Sequence, residues 1–306
     1  MRIMYEGTDI TQSVQVESAS AQDRADGNAD MLDVTLWNAK AWYAWAPRKD
    51  DAIEIIHEGY TTGKMYVDTV LPAEGKYRII ATSMTTAARQ VHWAAWENAM
   101  LRDILRAVSA EAEMDWGIYG LDDNAQYPFF LRKGNETGTG FLRRLLRLEG
   151  AVLKCAAGRM SAIGIEYAQA LDARREITIE NDTPGVTHTR TEGAAYAGAR
   201  VITPYGRGIA ADGAVKNGLY LTVENEPAKS AIQAARWARG ALLWENRQAE
   251  AVMIETEFDA SMTAMMPIQI AGEAALAGKW LANRAEHDFI NKRTRCEFLR
   301  CVMTIR

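Results

Sequence analysis

The sequence predicts an α+β protein that is mainly β. Apolar residues alternate with polar ones in short runs over the first 85 residues, and the same pattern returns from Ile177 onward. Helical spacing is confined to one region between them and to one later stretch. We therefore expect β-barrel domains over 1–85 and 169–306, a small α/β domain over 86–168, and a helix inserted in the second β domain near 227–247.

The first β region contains several short strands with one buried face each. Alternating apolar residues mark three of them: Leu32, Val34 and Leu36; Ile53 and Ile55; and Tyr77, Ile79 and Ala81. Turn-forming residues separate the runs: Gly7 to Asp9, Asp26 to Asn28, Gly59 to Gly63 and Pro72 to Gly75. Short strands with turns about every ten residues indicate a small barrel or sandwich.

The middle region combines helices with a hairpin. Spaced apolar residues predict an amphipathic helix from about Trp96 to Glu113, and a second helix around Phe141 to Leu146 that ends at Gly150. Residues 151–155 and 160–165, separated by a turn at Gly158, predict a β-hairpin.

The C-terminal region returns to β structure, with strands expected at 177–179, 201–203, 219–223, 251–258, 268–270 and 280–305. A wide apolar stripe from Ala231 to Trp244 predicts the inserted helix. In the last strand the apolar set changes phase between Phe298 and Leu299, which predicts a β-bulge there.

The chain also contains an internal repeat. The segment 53–65 aligns without gaps on 268–280, and five positions are identical: Ile53 and Ile268, Ile55 and Ile270, Glu58 and Glu273, Gly63 and Gly278, Lys64 and Lys279. Two explanations fit this repeat. Either two unrelated hairpins share similar turns, or two copies of one barrel lie at the ends of the chain.

Composition limits the classes of function. The formal net charge is −5, from 40 acidic and 35 basic side chains, which disfavours tight binding of nucleic acid or an anionic membrane. No run reaches the roughly 18 apolar residues of a membrane helix, and the N-terminus has no signal-peptide pattern, so a soluble protein made in the cytoplasm is expected. Cys155, Cys296 and Cys301 fit buried small hydrophobes better than a disulfide or metal framework.

Several motifs are candidates for functional sites. The Gly63-Lys64 and Gly278-Lys279 turns lack the spacing and the following Ser or Thr of a phosphate loop. The four histidines, His57, His92, His188 and His287, show no metal-ligand spacing. His287 beside Asp288 suggests a base with its orienting carboxylate, but neighbouring strand residues point to opposite faces, which favours a structural histidine.

Two acidic pairs and one basic helix face are further candidates for functional sites. Asp122-Asp123 and Glu255-x-Glu257 are considered for glycoside hydrolysis, but a loop for the first pair and a solvated strand face for the second explain them better. Arg143, Arg144 and Arg147 are interpreted as a solvated helix face, with a protein partner as second choice. The sequence therefore assigns no catalytic, cofactor-binding or metal-ligating residue, and no cofactor.

The order of the elements carries a family resemblance. The relevant segments are Gly7 to Thr11, Asp30 to Trp37, Trp42 and Trp45, Pro47 to Asp51, Ile53 to Ile55, Gly63 to Asp68, Ile79 to Ser83, Phe141 to Leu145 with Gly150, Val152 to Ile165, Gly278 to Trp280 and His287 to Phe289. Together they resemble the baseplate hub proteins of contractile tails. This is the late control protein D group of phages, with relatives in phage-tail-like bacteriocins and in the type VI secretion spike.

The resemblance implies a structural protein without enzymatic activity. Such hubs are similar to two tail-tube-like barrels fused around smaller domains, and three copies form a ring that joins the six-fold tail tube to the three-fold spike. The implied partners are two further copies of the chain, the tail tube or a tube-initiator protein, a central spike protein, and baseplate wedge and tape-measure proteins. Because no needle or lysozyme domain follows Arg306, a separate spike chain is expected. Assembly would take place in the bacterial cytoplasm, before incorporation into the baseplate of a virion or tail-like particle.

Two other functions remain as alternatives. A cell-wall-degrading glycosidase or peptidase would place Glu255, Glu257 or Asp122 in a cleft. A carbohydrate-binding module would use some of the nine tryptophans, such as an exposed row including Trp42 and Trp45.

Overall fold

Strands dominate the computed structural model of the chain, which describes residues 1–37, 45–191, 193–223 and 228–306. The strands are β1 Arg2–Tyr5, β2 Thr8–Asp9, β3 Val16–Arg24, β4 Met31–Trp37, β5 Ala52–His57, β6 Tyr60–Thr61, β7 Met65–Ala73, β8 Lys76–Thr82, β9 Ala94–Met100, β10 Asp115–Tyr119, β11 Gln126–Arg132, β12 Ala151–Ala156, β13 Arg159–Gly164, β14 Arg175–Ile179, β15 Val186–Arg190, β16 Gly198–Thr203, β17 Gly206–Ala211, β18 Tyr220–Val223, β19 Glu250–Glu257, β20 Pro267–Gly272, β21 Gly278–Asp288 and β22 Arg293–Arg300. The helices are α1 Leu101–Glu111, α2 Gly138–Leu148, α3 Ile165–Ala170 and α4 Ala231–Asn246. The predicted mainly β, α+β class is confirmed.

One sheet of 14 strands joins the two ends of the chain. We call β1, β3, β4, β5, β7 and β8 the N-terminal unit, and β14, β15, β19, β20, β21 and β22 the C-terminal unit. Each unit has its own apolar core, and the alternating residues of the sequence analysis supply it: Leu32, Val34 and Ile55 are fully buried in one unit, and Ile268 and Ile270 in the other. Period-two spacing therefore predicted these strands correctly.

The two units meet along an antiparallel pair between β3 and β21. Residues 20–24 of β3 lie opposite residues 284–288 of β21, with Ser20 facing Asp288 and Arg24 facing Arg284. The other edge of the same stretch of β21 pairs with β22. The backbone ladder thus continues from one unit into the other.

The middle unit contains two small sheets, β9 with β11 and β10-β13-β12, together with α1, α2 and α3. The expected helix from Trp96 is corrected at its start, because residues 94–100 form β9 and the helix begins at Leu101. Trp96 lies opposite Phe130 in the β9–β11 ladder and stacks on Phe141 of α2 with ring centroids 4.7 Å apart. Its spacing fits a helix, but pairing with β11 decides its conformation.

The segment inserted in the C-terminal unit is larger than the single helix expected from sequence. Strands β16, β17 and β18 form a separate sheet that packs against α4, so residues 201–203 and 219–223 do not join the second large unit. We call these three strands and α4 the inserted unit. A Cβ on Gly208 would lie 2.1 Å from the backbone of Ala234 in α4. Glycine therefore permits the close contact of strand and helix that defines this unit.

The inserted unit also packs on the middle unit. At Gly240 of α4 a Cβ would lie 2.1 Å from the carbonyl oxygen of Leu148, at the end of α2. Apolar residues of both units belong to one buried cluster, which includes Leu145 and Trp237. The two smaller units therefore share a core.

The predicted β-bulge lies on a different strand. The register shifts in β21, between Ala282 and Arg284, while Phe298 and Leu299 of β22 are both buried. β22 ends at Arg300, and Met303 beyond it is 67% exposed. Two consecutive buried residues imitate a phase change: Phe298 belongs to the core of the C-terminal unit, and Leu299 lies opposite Leu281, which belongs to the core of the smaller units.

A buried ionic cluster attaches the middle unit to the N-terminal unit. Nζ of Lys154 in β12 lies 2.5 Å from Oδ1 of Asp23 and 2.5 Å from Oδ2 of Asp30. The Ser83 hydroxyl donates to the carbonyl oxygen of Cys155 and accepts from the backbone N–H of Asp30. Burial raises the pKa of Asp30 to about 6, although Lys154 opposes this shift. One ammonium thus is the shared counter-ion of two carboxyl groups in the interface.

Removing that ammonium tests the cluster. We expect Lys154→Met to lower the free energy of unfolding by about 3 to 5 kcal/mol, because two buried carboxylates lose their counter-ion. Urea denaturation followed by tryptophan fluorescence measures the change. Lys49→Met at an exposed lysine is the matched control, and an equal effect of the two substitutions would contradict the cluster's role.

Candidate functional site

The internal repeat extends over both large units. In the N-terminal unit the strand order across the sheet is β1-β5-β7-β8-β4-β3, and in the C-terminal unit it is β14-β20-β21-β22-β19-β15. In chain order both series are first, fourth, fifth, sixth, third and second. One pair differs in direction, since β1 is antiparallel to β5 and β14 is parallel to β20. The shared order favours duplication over two unrelated hairpins.

Strand register agrees with this interpretation. Ile53 lies opposite Met65, and Ile268 lies opposite Trp280, which are the residues that the sequence alignment pairs. Both longer strands then bulge at the same place: β7 between Val67 and Thr69, and β21 between Ala282 and Arg284. The Gly63-Lys64 and Gly278-Lys279 turns therefore hold equivalent positions in the two units.

Strands β4 and β8 correspond to β19 and β22, although their sequences differ. Leu32 of β4 pairs with Ala81 of β8, and Val252 of β19 pairs with Phe298 of β22. Ala81 and Phe298 both lie opposite the last residue before the bulge. All four side chains are fully buried. The two units thus preserve apolar burial where they do not preserve residue identity.

The lysines of the equivalent turns have ordinary surface contacts. Nζ of Lys64 lies 5.1 Å from the centroid of the Tyr66 ring, and Lys279 donates to the carbonyl oxygen of Leu171. Neither contact forms a cradle of backbone N–H groups for phosphate.

His287 has a structural role in this fold. Its ring is fully buried, with Nε2 3.0 Å from the carbonyl oxygen of Met262 and Nδ1 3.1 Å from the hydroxyl of Thr294. Nε2 therefore donates the proton to the carbonyl, and Nδ1 accepts from the hydroxyl. Asp288, considered in the sequence as its orienting carboxylate, instead accepts from backbone N–H groups of the following turn. Burial lowers the pKa of His287.

The remaining histidines are not assembled into a site. His57 packs against Phe258 and Phe289 at the junction of the units, and burial lowers its pKa. His188 contacts Glu250 with Nε2 2.9 Å from Oε1, and His92 lies 3.4 Å from Glu111. Across the residues that the structure describes, no cluster of three or more His, Cys, Asp or Glu side chains could hold a metal.

The cysteines are separate and mostly buried. Cys155 and Cys296 are fully enclosed and Cys301 is half-buried, and all three are unpaired. Burial raises the pKa of Cys155 and of Cys301 to about 12, so these thiols stay protonated at neutral pH.

The acidic candidates lie far apart in the topology. Glu255 and Glu257 are exposed on β19, whereas Asp122 accepts from the backbone N–H of Asn124 in the turn between β10 and β11. Asp123 contacts the side-chain amide of the same asparagine. These groups show local turn and strand-surface contacts, and the structure does not bring the two acidic pairs together.

Among the described residues, the exposed tryptophans are spread over the N-terminal part of the chain, which includes Trp37, and the middle unit. Trp42 lies outside the described residues. Trp45 is partly exposed and stacks on Tyr5 with ring centroids 5.1 Å apart, and the exposed Trp93 and Trp116 belong to the middle unit.

The basic face of α2 is largely solvated, as the sequence predicted, with Arg143 and Arg147 exposed, and its arginines also contact neighbouring parts of the chain. Arg143 packs over Gly27 and donates to Asn28 of the N-terminal unit. Arg144 forms an ion pair with Glu136 at 2.8 Å. The third arginine, Arg147, pairs with a glutamate of α4. Helical spacing therefore identified the exposed side of α2, from which Arg143 and Arg147 reach the N-terminal and inserted units.

In the described part of the chain, no helix has the length and apolar character needed to cross a bilayer.

Comparison with known proteins identifies the fold. The chain matches no protein-family model and no curated protein sequence. It is similar to the solved 43 kDa tail protein of prophage MuSo2 from Shewanella oneidensis, with 12% identity, 98% of each chain covered and a TM-score of 0.75. The chain has the fold of phage tail proteins. A tail protein from Neisseria meningitidis MC58 gives a TM-score of 0.77 at 8% identity, with 98% of this chain and 95% of that chain covered.

A third similar structure comes from a secretion system. The Escherichia coli c3393 protein, described as a type VI secretion component similar to the phage T4 tail proteins gp27 and gp5, has a TM-score of 0.62 at 11% identity. The match covers 99% of this chain and 77% of that one. Since these matches cover nearly the whole chain, the tail-protein fold includes the middle and inserted units as well as the large sheet.

The buried histidines make stability depend on pH. Both His57 and His287 have a pKa below that of a histidine in the unfolded chain, which is about 6.5. Because the unfolded chain binds protons more readily, the free energy of unfolding should fall as pH decreases below about 6.5. We expect His287→Gln to reduce this slope between pH 7 and 5 in urea titrations. His92→Gln at an exposed position is the control, and an unchanged slope in His287→Gln would contradict the assignment.

Proposed function

We propose that this chain is a structural baseplate hub of a contractile phage tail or tail-like particle. In this proposal it forms a homotrimeric ring of pseudo-six-fold symmetry that joins the tail tube to the central spike. The observation that carries the proposal is the duplication: one chain holds two units with the same strand order and register in one continuous sheet.

Symmetry explains how such a chain could join unlike partners. Three copies of a chain with two similar barrels place six barrels around one axis, which suits a six-fold tube. The middle and inserted units occur once in each chain, so their surfaces repeat three times and suit a three-fold spike. The barrel form of the two units, with boundaries near 1–85 and 169–306, is part of this proposal.

The comparisons support the same role. Two of the similar structures are tail proteins, and the third is a secretion-system component described as similar to phage tail proteins. For this chain we infer contacts with the tail tube or a tube-initiator protein, a separate spike chain, baseplate wedge proteins and the tape-measure protein. Assembly would occur in the bacterial cytoplasm before incorporation into the particle.

Exposed apolar side chains on the inserted unit offer a surface for such partners. Ile202 and Ile209 lie on neighbouring strands of its sheet, and each is more than 60% exposed. Tyr205 is also exposed, at the turn between the same strands. Exposed apolar groups on a folded unit commonly mark contacts with other proteins.

The oligomeric state tests the hub directly. We expect mass photometry to show trimers of the purified chain that persist in 1 M NaCl. The reason is that a ring under load needs an extensive interface of about 2,000 Å² or more, whereas exposed ion pairs contribute only about 0 to 1 kcal/mol each. A protein that stays monomeric at high concentration, also with tube and spike chains present, would contradict the proposal.

The channel of the ring should carry little positive charge. A hub that passes DNA or a tape-measure protein should not retain it, and the net charge of −5 per chain favours a neutral or acidic lumen. Lysines and arginines would then lie at faces that dock on acidic partners. We expect no binding of labelled duplex DNA at ring concentrations up to about 10 µM in physiological salt, measured by fluorescence anisotropy. Tight, salt-sensitive binding would contradict a passive channel.

A further inference from the structure

Each large unit has one strand edge whose equivalent is paired in the other unit. Among the described residues, β15 pairs only with β19, so its second edge is open. In β7, residues 69–73 beyond the bulge pair with β8 on one side and with no described strand on the other. Open strand edges present unpaired N–H and C=O groups that can pair with another chain.

The chain itself shows how these edges can be used. In the duplication β3 is the equivalent of β15, and the part of β21 beyond its bulge is the equivalent of residues 69–73 in β7. These two equivalents pair with each other at the junction of the units, residues 20–24 with 284–288. This junction therefore occurs once inside the chain. The two edges equivalent to it, on β15 and on residues 69–73 of β7, are left open.

We propose that β15 of one protomer pairs antiparallel with residues 69–73 of β7 in the next protomer, in the register that β3 and β21 adopt inside the chain. The inference rests on the proposed ring, and it names the contact that would close it. Such a contact is head-to-tail, because the two edges are different surfaces, and head-to-tail contacts generate rings when the rotation closes.

The register of β15 follows from its neighbour in the sheet. Ala21 of β3 lies opposite Leu32, and His188 of β15 lies opposite Val252. Because Leu32 and Val252 are equivalent, His188 corresponds to Ala21. Thr189 then corresponds to Gln22.

The register of β7 follows from the bulge. Thr69 and Arg284 are the first paired residues after it in the two units, so Leu71 corresponds to Glu286 and the next residue, Pro72, to His287. Inside the chain, Gln22 faces Glu286 and Ala21 faces His287. Between protomers, Thr189 should therefore face Leu71, and His188 should face Pro72.

Backbone hydrogen bonds of β15 point the correct way for this pairing. Thr191 N–H donates to Ala249, and Glu255 N–H donates to the carbonyl oxygen of Gly185. Bonded positions alternate along an antiparallel strand, so the odd-numbered residues of β15 bond to β19, and the N–H and C=O of His188 face the open edge.

The internal junction shows the same alternation. Ala25 N–H donates to Asn283, and Phe289 N–H donates to the carbonyl oxygen of Ala19, so the odd-numbered residues of β3 bond to β21. Ala21 belongs to that set, and it corresponds to His188. The donors and acceptors on the free edge of β15 thus match those that β3 uses.

Pro72 is compatible with the contact and restricts it. Its equivalent, His287, belongs to the positions of β21 whose backbone faces β3, so the missing N–H of Pro72 is on the open side and does not affect pairing with β8. In the proposed ladder the carbonyl oxygen of Pro72 still accepts from His188 N–H, and one reciprocal bond is lost. A proline on an exposed edge also disfavours unrelated strands.

A disulfide between Leu71→Cys and Thr189→Cys tests the register. The two positions form a non-hydrogen-bonded pair in the proposed ladder, where Cα atoms are about 4.5 Å apart, which suits a disulfide. Under oxidation, non-reducing gels of the double variant should show covalent species up to three chains, which reducing agent returns to one. The wild-type chain, with Cys155, Cys296 and Cys301 retained, is the background control.

Two further combinations of cysteine variants test which protomers and which residues are in contact. Combining the single variants Leu71→Cys and Thr189→Cys should give covalent dimers only, because each protomer then supplies one half of one contact. Leu71→Cys with Thr187→Cys is two residues out of register, a separation of about 7 to 8 Å that a disulfide does not span. We expect at least about tenfold less cross-linking from this mismatched pair, which serves as the control.

Arg190→Pro provides a readout that does not depend on cysteine. Arg190 is an even-numbered position of β15, so its N–H faces the open edge and not β19. The substitution should weaken the trimer at least about tenfold, as one backbone bond between protomers is lost, while circular dichroism and the melting temperature of the dissociated chain stay as in wild type. A trimer of unchanged affinity would overturn the proposed edge contact.

The outcomes separate this inference from the proposed function. Trimers without cross-linking at positions 71 and 189 would overturn the edge pairing and leave the hub standing. Cross-linking of the mismatched pair at equal yield would overturn the register. Specific cross-linking into assemblies of another size would support the edge pairing and overturn the trimer. Monomers without cross-linking would overturn both.

Discussion

The antiparallel ladder between β3 and β21 is the interaction on which the architecture depends. It turns two separate units into one sheet, because residues 284–288 of β21 bond to β22 on one side and to β3 on the other. Small buried side chains, Ala21 and Ala285, flank the contact, and His287 is held between Met262 and Thr294. Without this ladder both units would expose an edge at the centre of the chain.

Buried polar groups attach the middle unit to this sheet and to the inserted unit. Lys154 bridges two aspartates of the N-terminal unit, and Glu149 at the end of α2 accepts from three side chains: Tyr127 at 2.7 Å, Trp237 at 2.7 Å and Arg236 at 2.6 Å. Buried charges with several partners tolerate little displacement, because an unpaired charge costs several kcal/mol, about 3 to 5 when one partner is removed. These contacts suit a chain whose units must keep fixed positions under load, as the proposed hub requires.

Several elements could be predicted because their side chains encode one buried face. The strands at Leu32 to Leu36 and Ile53 to Ile55, and the helices α2 and α4, occur where the apolar period placed them. The repeat was detectable at Gly63-Lys64 and Gly278-Lys279 because both turns keep their residues. Elsewhere the two units conserve only burial, so the full duplication became visible through strand order and register.

The amino-acid sequence by itself determined which segments are strands or helices and which of their faces are apolar. Tertiary structure alone decided which partner each segment joins. Trp96 lies in β9 because β11 pairs with it, β16 and β18 form their own sheet on α4, the bulge falls in β21, and Arg143 packs over Gly27 of the N-terminal unit. The physical reason is that backbone hydrogen bonds between distant segments carry no side-chain signature, whereas local periodicity reports only that a face is buried.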